Sequence, residues 1–277
     1  MNETAPEARE PIARAGYEPV DPLAAASANA DWWSEEAPGY LAEHGDFLGA
    51  ADFRWCPEGL RESDAGLLGD LATLRGAEVL EIGAGAAQCS RWLRARHVRA
   101  TASDVADGMA HASARLDAAT GVPVPFVVAD ARDLPFPDRS FDVVFTAFGA
   151  IPFVPDADRV HAEAARVLRP GGRWVCSVTH PVRWAFPDDP TDAGLTLVRS
   201  YFDRAPYVER DAQGQPLYAE FHRTISDHVR ELIGAGHMLV DLIEPGWQPG
   251  NTHVWGGWGP ERGALLPGTL IMVAERQ

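Results

Sequence analysis

The sequence predicts an α/β fold: a doubly wound, Rossmann-like, mostly parallel sheet of seven strands with helices on both faces and a cap built from N-terminal and inserted segments. Three observations carry this. Apolar strand-like runs alternate with helical patterns between residue 63 and about residue 179, the order that builds parallel sheets through helical crossovers. The run Val79 to Ile82 leads into Gly83-Ala84-Gly85 and then a helix start at Gln88. In such a strand–turn–helix unit the glycines let the backbone approach a ligand, and the free N–H groups of the helix face the turn. Finally, the second strand ends at Asp104, about 20 residues beyond Gly83, the spacing at which a βαβ unit offers a carboxylate to ribose hydroxyls.

Residues 1–30 are rich in Ala, Pro and Glu with little hydrophobic periodicity and are expected to form a mobile tail, leaving 31–277 as a single domain. Residues 31–62 carry Trp32, Trp33, Tyr40, Phe47 and Phe53, which predicts short amphipathic helices and an aromatic loop, the first of three cap segments. A helix is expected over 63–74. Strands follow at Glu78–Ile82, at the run 97–102 that leads to Asp104, at 125–130 and at Phe141–Ala147. Val160, Ala164, Val167 and Leu168 then repeat as one helix face within 158–169, and Pro170-Gly171-Gly172 stops that helix before a strand at 173–179.

After 179 the alternation breaks. Residues 180–221 hold Pro181, Pro187, Pro190 and Pro206 among many aromatics, too long for a simple loop, so 181–221 is expected to be a second cap segment. A helix Ile225–Gly234, a strand His237–Ile243, a third cap segment at about 246–267 and a last strand at 269–274 complete the chain.

Composition narrows the partners. The net charge is −16 and all basic residues are arginine, with no basic run. Nucleic-acid binding draws on several cation–phosphate contacts, so no nucleic-acid partner is expected, and a small molecule is. Cys56, Cys89 and Cys176 have no CxxC spacing, which predicts free thiols in a reducing cytosol and no metal site. There is no apolar signal core and no run near the roughly 18 residues of a membrane span, so the expectation is a cytoplasmic protein without membrane association. The oligomeric state stays open.

The glycine motif is incomplete as a dinucleotide fingerprint, because Gln88 replaces its third glycine. Glu81 is more informative. A carboxylate there would face the pyrophosphate of NAD, whereas the ammonium and sulfonium of S-adenosylmethionine (SAM) favour it. It can also simply brace the loop backbone.

With Glu81-Ile-Gly-Ala-Gly85, Ser103 to Met109 and Ala129 to Asp142 in this order, the chain resembles the class I SAM-dependent methyltransferases, in particular the small-molecule group called type 11. The resemblance spans about residues 67–168. It implies that Gly83, Ala84 and Gly85 line the methionine part of SAM, with Glu81 near its ammonium. Asp104 would accept the ribose hydroxyls, Val105 and Met109 would pack on adenine, and Asp130 and the backbone of Ala131 would contact the adenine amino group. Ala147 and Phe148 would border the ribose and sulfonium, Tyr40 would reach the carboxylate end, and Gln88 could help there.

Methyl transfer chiefly requires alignment of two reactants, and a base serves only an acceptor that must lose a proton. His180, directly after the fifth strand, is the candidate catalytic base, since ligands bind beyond the carboxyl ends of such strands; His222 and His253 are weaker candidates. Seven tryptophans fall in the cap segments, where they can enclose an apolar acceptor. Arg183 and Arg223 are expected mainly in surface salt bridges. The predicted activity is methylation of a small, partly aromatic or apolar acceptor, with oxygen ahead of nitrogen or carbon. The alternatives are a SAM-binding scaffold or regulator that transfers nothing, and an RNA or protein methyltransferase.

Overall fold

The computed structural model describes residues 11–277. In chain order the elements are β1 (Arg14–Tyr17), α1 (Pro22–Leu48), α2 (Glu62–Ala65), α3 (Leu71–Leu74), β2 (Glu78–Ile82), α4 (Gln88–Arg94), β3 (Arg99–Asp104), α5 (Asp107–Thr120), β4 (Phe126–Val128), β5 (Phe141–Ala147), α6 (Ala157–Val167), β6 (Leu168–Thr179), β7 (Tyr207–Arg210), β8 (Pro216–Glu220), α7 (Ile225–Gly234), β9 (His237–Ile243), α8 (Pro260–Gly263) and β10 (Thr269–Arg276).

Strands β2 to β6, β9 and β10 form the expected seven-stranded sheet, in the order β4-β3-β2-β5-β6-β10-β9. β2 to β6 pair in parallel, and β10 runs antiparallel to both β6 and β9. Strand order reverses between β2 and β5, the crevice where sheets of this type bind ligands. Neighbouring residues of each strand feed opposite faces, as strand geometry demands. Leu80, Val144, Trp174 and Met272 pack with Val160 and Leu232 of α6 and α7. Val79, Val143, Val175 and Ile271 pack on the other face with Phe53, Trp55, Leu68 and Trp92.

Several sequence expectations need correction. Within the expected tail 1–30, residues 14–17 form a strand and Pro22 opens a helix; residues 1–10 lie outside the described residues. The short helices expected after residue 31 are one 27-residue helix, α1. Asp21 caps it by accepting from Leu23 N and Ala24 N, with Pro22 in the first turn. The single helix expected at 63–74 is two one-turn helices, interrupted where Gly69 takes φ +108°. Pro170-Gly171-Gly172 ends α6 but does not delay the strand. β6 starts at Leu168, and the extra residues are absorbed by a register shift against β5. The second cap segment contains two strands, β7 and β8, which join β1 in a separate antiparallel sheet.

Two features fasten α1 over the carboxyl ends of the strands. The Asn29 side chain accepts from Ala219 N at 2.8 Å and donates to Ala219 O at 2.9 Å and Phe153 O at 2.8 Å, so one buried amide ties α1 to β8 and to the turn after β5. Gly108, in the first turn of α5, touches the α1 backbone so closely that a Cβ there would collide with Ser34 O.

Candidate active site

The site begins at the β2 turn. Gly83 takes φ +62°, and a Cβ on it would lie 2.6 Å from Ala150 N. A Cβ on Gly149 would in turn collide with Gly83 O. Only two glycines let the ends of β2 and β5 meet at the switch point. Just beyond, Phe148 and Ala150 hold positive φ values of 66° and 54°, a cost for side-chain-bearing residues of the kind often stored at ligand sites.

These strand ends form the floor of a cavity of about 460 Å³. Every cofactor residue expected from the sequence lines it: Tyr40, Glu81, Gly83, Ala84, Gly85, Gln88, Asp104, Val105, Met109, Asp130, Ala131, Ala147 and Phe148. Glu81 is buried and accepts from Ser90 N at 2.9 Å, in the first turn of α4. It therefore braces the loop while also facing the cavity. Burial pushes its carboxyl up to about 7, against the pull of Ser90. Asp104 accepts from Gly85 N at 2.8 Å and Ala106 N at 3.0 Å, and burial pushes it up to about 6.

Other residues sit less simply. Asp130 lines the cavity, but both its oxygens are engaged by Arg132, with Nη2–Oδ2 at 2.7 Å and Nε–Oδ1 at 3.0 Å, and Arg132 extends to Asp156 at 3.0 Å. Tyr40 packs edge-on against Trp33, His44 and Trp255, and burial holds its phenol well above the usual range.

His180 is where the sequence reading needs its main correction. Thr179 and Arg183 line the cavity but His180 does not. Its Nδ1 accepts from Val182 N at 3.1 Å, capping a short helical turn, so its Nε2 carries the proton and donates to Glu244 Oε1 at 2.8 Å. With both nitrogens committed, this histidine ties β6 to the chain after β9 and has no lone pair for a substrate. His222 and His253 do not line the cavity either; Nε2 of His222 pairs with Tyr201 O at 2.7 Å and Nε2 of His253 with His44 Nδ1 at 3.2 Å.

Arg183 and Arg223 are also not surface residues. Arg223 is buried on the carbonyls of Ile151, Val154 and Pro155 and pairs with Glu231. Arg183 lies against the cavity and bridges Glu220 at 3.1 Å and Asp188 at 3.2 Å. Of the cap tryptophans, Trp33, Trp255 and Trp258 line the cavity, whereas Trp55 is a fully buried core residue. Tyr218, Glu220 and Arg54 also line it and had no local signal; distant pairing brings them in.

The cavity's chemistry suits SAM. Gly85 has φ +52°, and a Cβ on it would meet nothing within 4 Å, so its backbone is open to a ligand. Two carboxylates, buried Glu81 and half-buried Asp104, stand on the floor and form no ion pair with any side chain among the described residues, suitable for an ammonium and for ribose hydroxyls. Arg54 brings a guanidinium to the same wall. It pairs only loosely with Asp52, at 3.3 Å without hydrogen-bond alignment, and its buried Nε has no hydrogen-bond partner, so it can serve a carboxylate. No cluster of potential metal ligands occurs among the described residues.

Comparison with known proteins agrees. A family model described as a methyltransferase domain matches residues 80–176. A demethylmenaquinone methyltransferase from Thermus thermophilus is 34% identical over 174 residues, covering 62% of this chain and 72% of that protein. One from Mycobacterium sp. (strain JLS) is 36% identical over 143 residues, 51% of this chain and 56% of its own length. Among solved structures, a putative SAM-dependent methyltransferase from Listeria monocytogenes has a TM-score of 0.59 at 20% identity, covering 77% of this chain and 99% of that one. The 1,6-didemethyltoxoflavin-N1-methyltransferase of Burkholderia thailandensis, solved with its substrate and S-adenosylhomocysteine, has a TM-score of 0.54 at 18% identity, covering 99% and 98%. At these identities the structures speak for the fold alone. Glycine turn, strand-end carboxylates, strand order and the Thermus relative together establish that the chain belongs to the class I SAM-dependent methyltransferases, enzymes whose cofactor is SAM.

Proposed function

We propose that the protein methylates a small, planar aromatic molecule held between the cofactor and the aromatic cap. One observation carries this reading: a single cavity has the SAM-type floor and a roof of Trp33, Phe153, Tyr218, Trp255 and Trp258. Aromatic faces stack on planar rings and exclude water. Relatives named for demethylmenaquinone and a structural neighbour solved with 1,6-didemethyltoxoflavin support a small organic acceptor. No described helix is long and apolar enough to cross a membrane.

When bound, SAM supplies an electrophilic methyl group on a positive sulfonium. The chain's own part is binding and alignment. Asp104 holds the ribose hydroxyls, Glu81 faces the ammonium, and Arg54 with Gln88 receives the carboxylate. Val105, Met109 and Ala131 cover the adenine. Asp130, whose Oδ1 is filled by Arg132 N and Nε, offers the second lone pair of Oδ2 to the adenine amino group. Tyr40, Ala147 and Phe148 form the wall between cofactor and acceptor. Oxygen is the favoured target, because polar groups in the roof can manage a hydroxyl proton.

The test is incubation of the purified protein with SAM and a panel of hydroxylated, aminated and plain aromatic rings, with mass spectrometry of the products. S-adenosylhomocysteine and a methylated ring in stoichiometric amounts are expected. Binding of SAM with no methylated product from any ring would overturn the proposal.

A further inference from the structure

Arg183, Tyr218, Glu220 and Asp188 form a polar cluster in the cavity wall. The Tyr218 hydroxyl donates a short hydrogen bond to Glu220 Oε1. Arg183 Nη1 donates to Glu220 Oε2 at 3.1 Å, and its Nη2 lies 3.2 Å from Asp188 Oδ2. Asp188 is fixed in turn by accepting from Gly257 N at 2.8 Å. One guanidinium is thus shared by two carboxylates, leaving the cluster a net negative charge and room for one proton. It is built from three parts of the chain that the cap sheet brings together.

The direction of the Tyr218 bond decides what the cluster can do. The side chain is buried, and burial with the adjacent Glu220 pushes its phenol well up, so it stays protonated. Its one hydrogen is spent on Glu220, and only oxygen lone pairs are left for a ligand. Tyr218 Oη can therefore accept from a ligand O–H but cannot donate to it. The ring also belongs to an aromatic wall that leads to the cofactor floor. Its centroid is 6.3 Å from Trp33, which is 5.7 Å from Tyr40, and the Tyr40 phenol feels the charge of Asp104.

Resting on the reaction proposed above, we propose that Tyr218 and Glu220 form the hydroxyl site of the acceptor, which is a phenol-type aromatic alcohol. Its proton passes to Tyr218 Oη as the proton of Tyr218 passes to Glu220. The O–H bond of the acceptor breaks with its electron pair left on oxygen, Tyr218 ends as a neutral phenol, and Glu220 ends as a neutral carboxyl. Charge is conserved, one carboxylate being exchanged for one phenolate. A phenol suits this path better than an aliphatic alcohol because it is by far the stronger acid, so the uphill transfer to a carboxylate is small enough to be completed as the oxygen is methylated. Arg183 is a positioning residue that holds Glu220.

The test uses the full chain saturated with S-adenosylhomocysteine, so that nothing turns over, and calorimetry with 2-naphthol and with 2-methoxynaphthalene, which lacks the proton. The wild type should bind 2-naphthol about 10-fold more tightly, the worth of one hydrogen bond. Tyr218→Phe should abolish the preference while leaving S-adenosylhomocysteine affinity within twofold, and Glu220→Gln, whose amide oxygen still accepts from Tyr218, should keep most of it. Equal affinity of the two probes for the wild type would overturn the proposal. A second arm measures methyl transfer with SAM. Glu220→Gln should slow 2-naphthol by about 100-fold or more, and 4-nitrophenol, which ionises without help at neutral pH, much less. Equal slowing of both would overturn the proton path. A hydroxyl preference without any methylated product would sustain the site and overturn the reaction instead.

Discussion

Asp104→Ala tests how the floor holds its cofactor. The wild-type carboxylate ends β3 and takes hydrogen bonds from Gly85 N and Ala106 N at 2.8 and 3.0 Å. Each oxygen has a second lone pair, enough to accept both ribose hydroxyls. A hydrogen bond to a charged group contributes about 1.5–3 kcal/mol, so removing two costs binding about 3–6 kcal/mol, or roughly 10²–10⁴-fold in Kd. The amide of Gly85 also loses its partner, so the turn loosens and the loss belongs toward the upper figure. Asp104→Asn keeps one acceptor oxygen and should fall between wild type and alanine. The assay is calorimetric titration with S-adenosylhomocysteine at pH 7.5, with circular dichroism to confirm that both variants remain folded. The wild-type carboxyl is pushed up to about 6, and ribose donors favour its ionised form. Wild-type affinity should therefore weaken as pH falls through 6, and the alanine variant should lack that dependence on Asp104. A folded Asp104→Ala protein with a Kd within threefold of wild type would refute the reasoning.

Other predictions follow from the same geometry. Gly83→Ala forces a Cβ to 2.6 Å from Ala150 N at a residue with φ +62°; it should lower the Tm by several degrees and weaken S-adenosylhomocysteine binding, and unchanged melting and affinity would contradict the β2–β5 contact. His180→Gln should lower Tm through its links to Val182 and Glu244 yet leave the pH profile of kcat/KM unchanged, whereas loss of a profile limb near neutral pH would restore His180 as a base. Binding of S-adenosylhomocysteine near pH 6.5 should release protons as Glu81, pushed up to about 7, ionises beside the ammonium; observed heats that do not depend on the ionisation enthalpy of the buffer would contradict this. His161 is fully buried, and burial pushes its pKa from 6.5 down to about 3. Its contribution is complete above pH 6.5 and is lost as pH falls toward 3, by about 1.4 kcal/mol per pH unit. Urea unfolding of His161→Gln should show a correspondingly shallower acid loss between pH 6 and 4, and an identical slope in both proteins would count against it.

The floor of the site was legible because its determinants are local. Glu81, the glycine turn and Asp104 follow directly from strand ends and spacing, and the fold places them together as the pattern requires. α1 was not legible as one helix. Its Trp33, Tyr40 and His44 serve the cavity, so it shows no regular core-facing stripe, Pro38 interrupts its interior, and its anchors are Asn29 on Ala219 and Gly108 on Ser34. β1 was hidden for the same reason: Arg14 pairs with Arg210, across most of the chain. His180 follows β6 directly, as its place in the sequence requires, but the direction of its ring depends on Glu244, many residues later. Tyr218 and Glu220 become neighbours of the cofactor floor only after the cap sheet has formed.

A crystal structure of the protein with S-adenosylhomocysteine tests the central claim most directly. The account predicts both ribose hydroxyls within hydrogen-bond distance of Asp104, the amino group beside Glu81, and the sulfur facing the free space beneath Trp33, Tyr218 and Trp258. A ligand bound elsewhere, or bound there with its ribose away from Asp104, would contradict it.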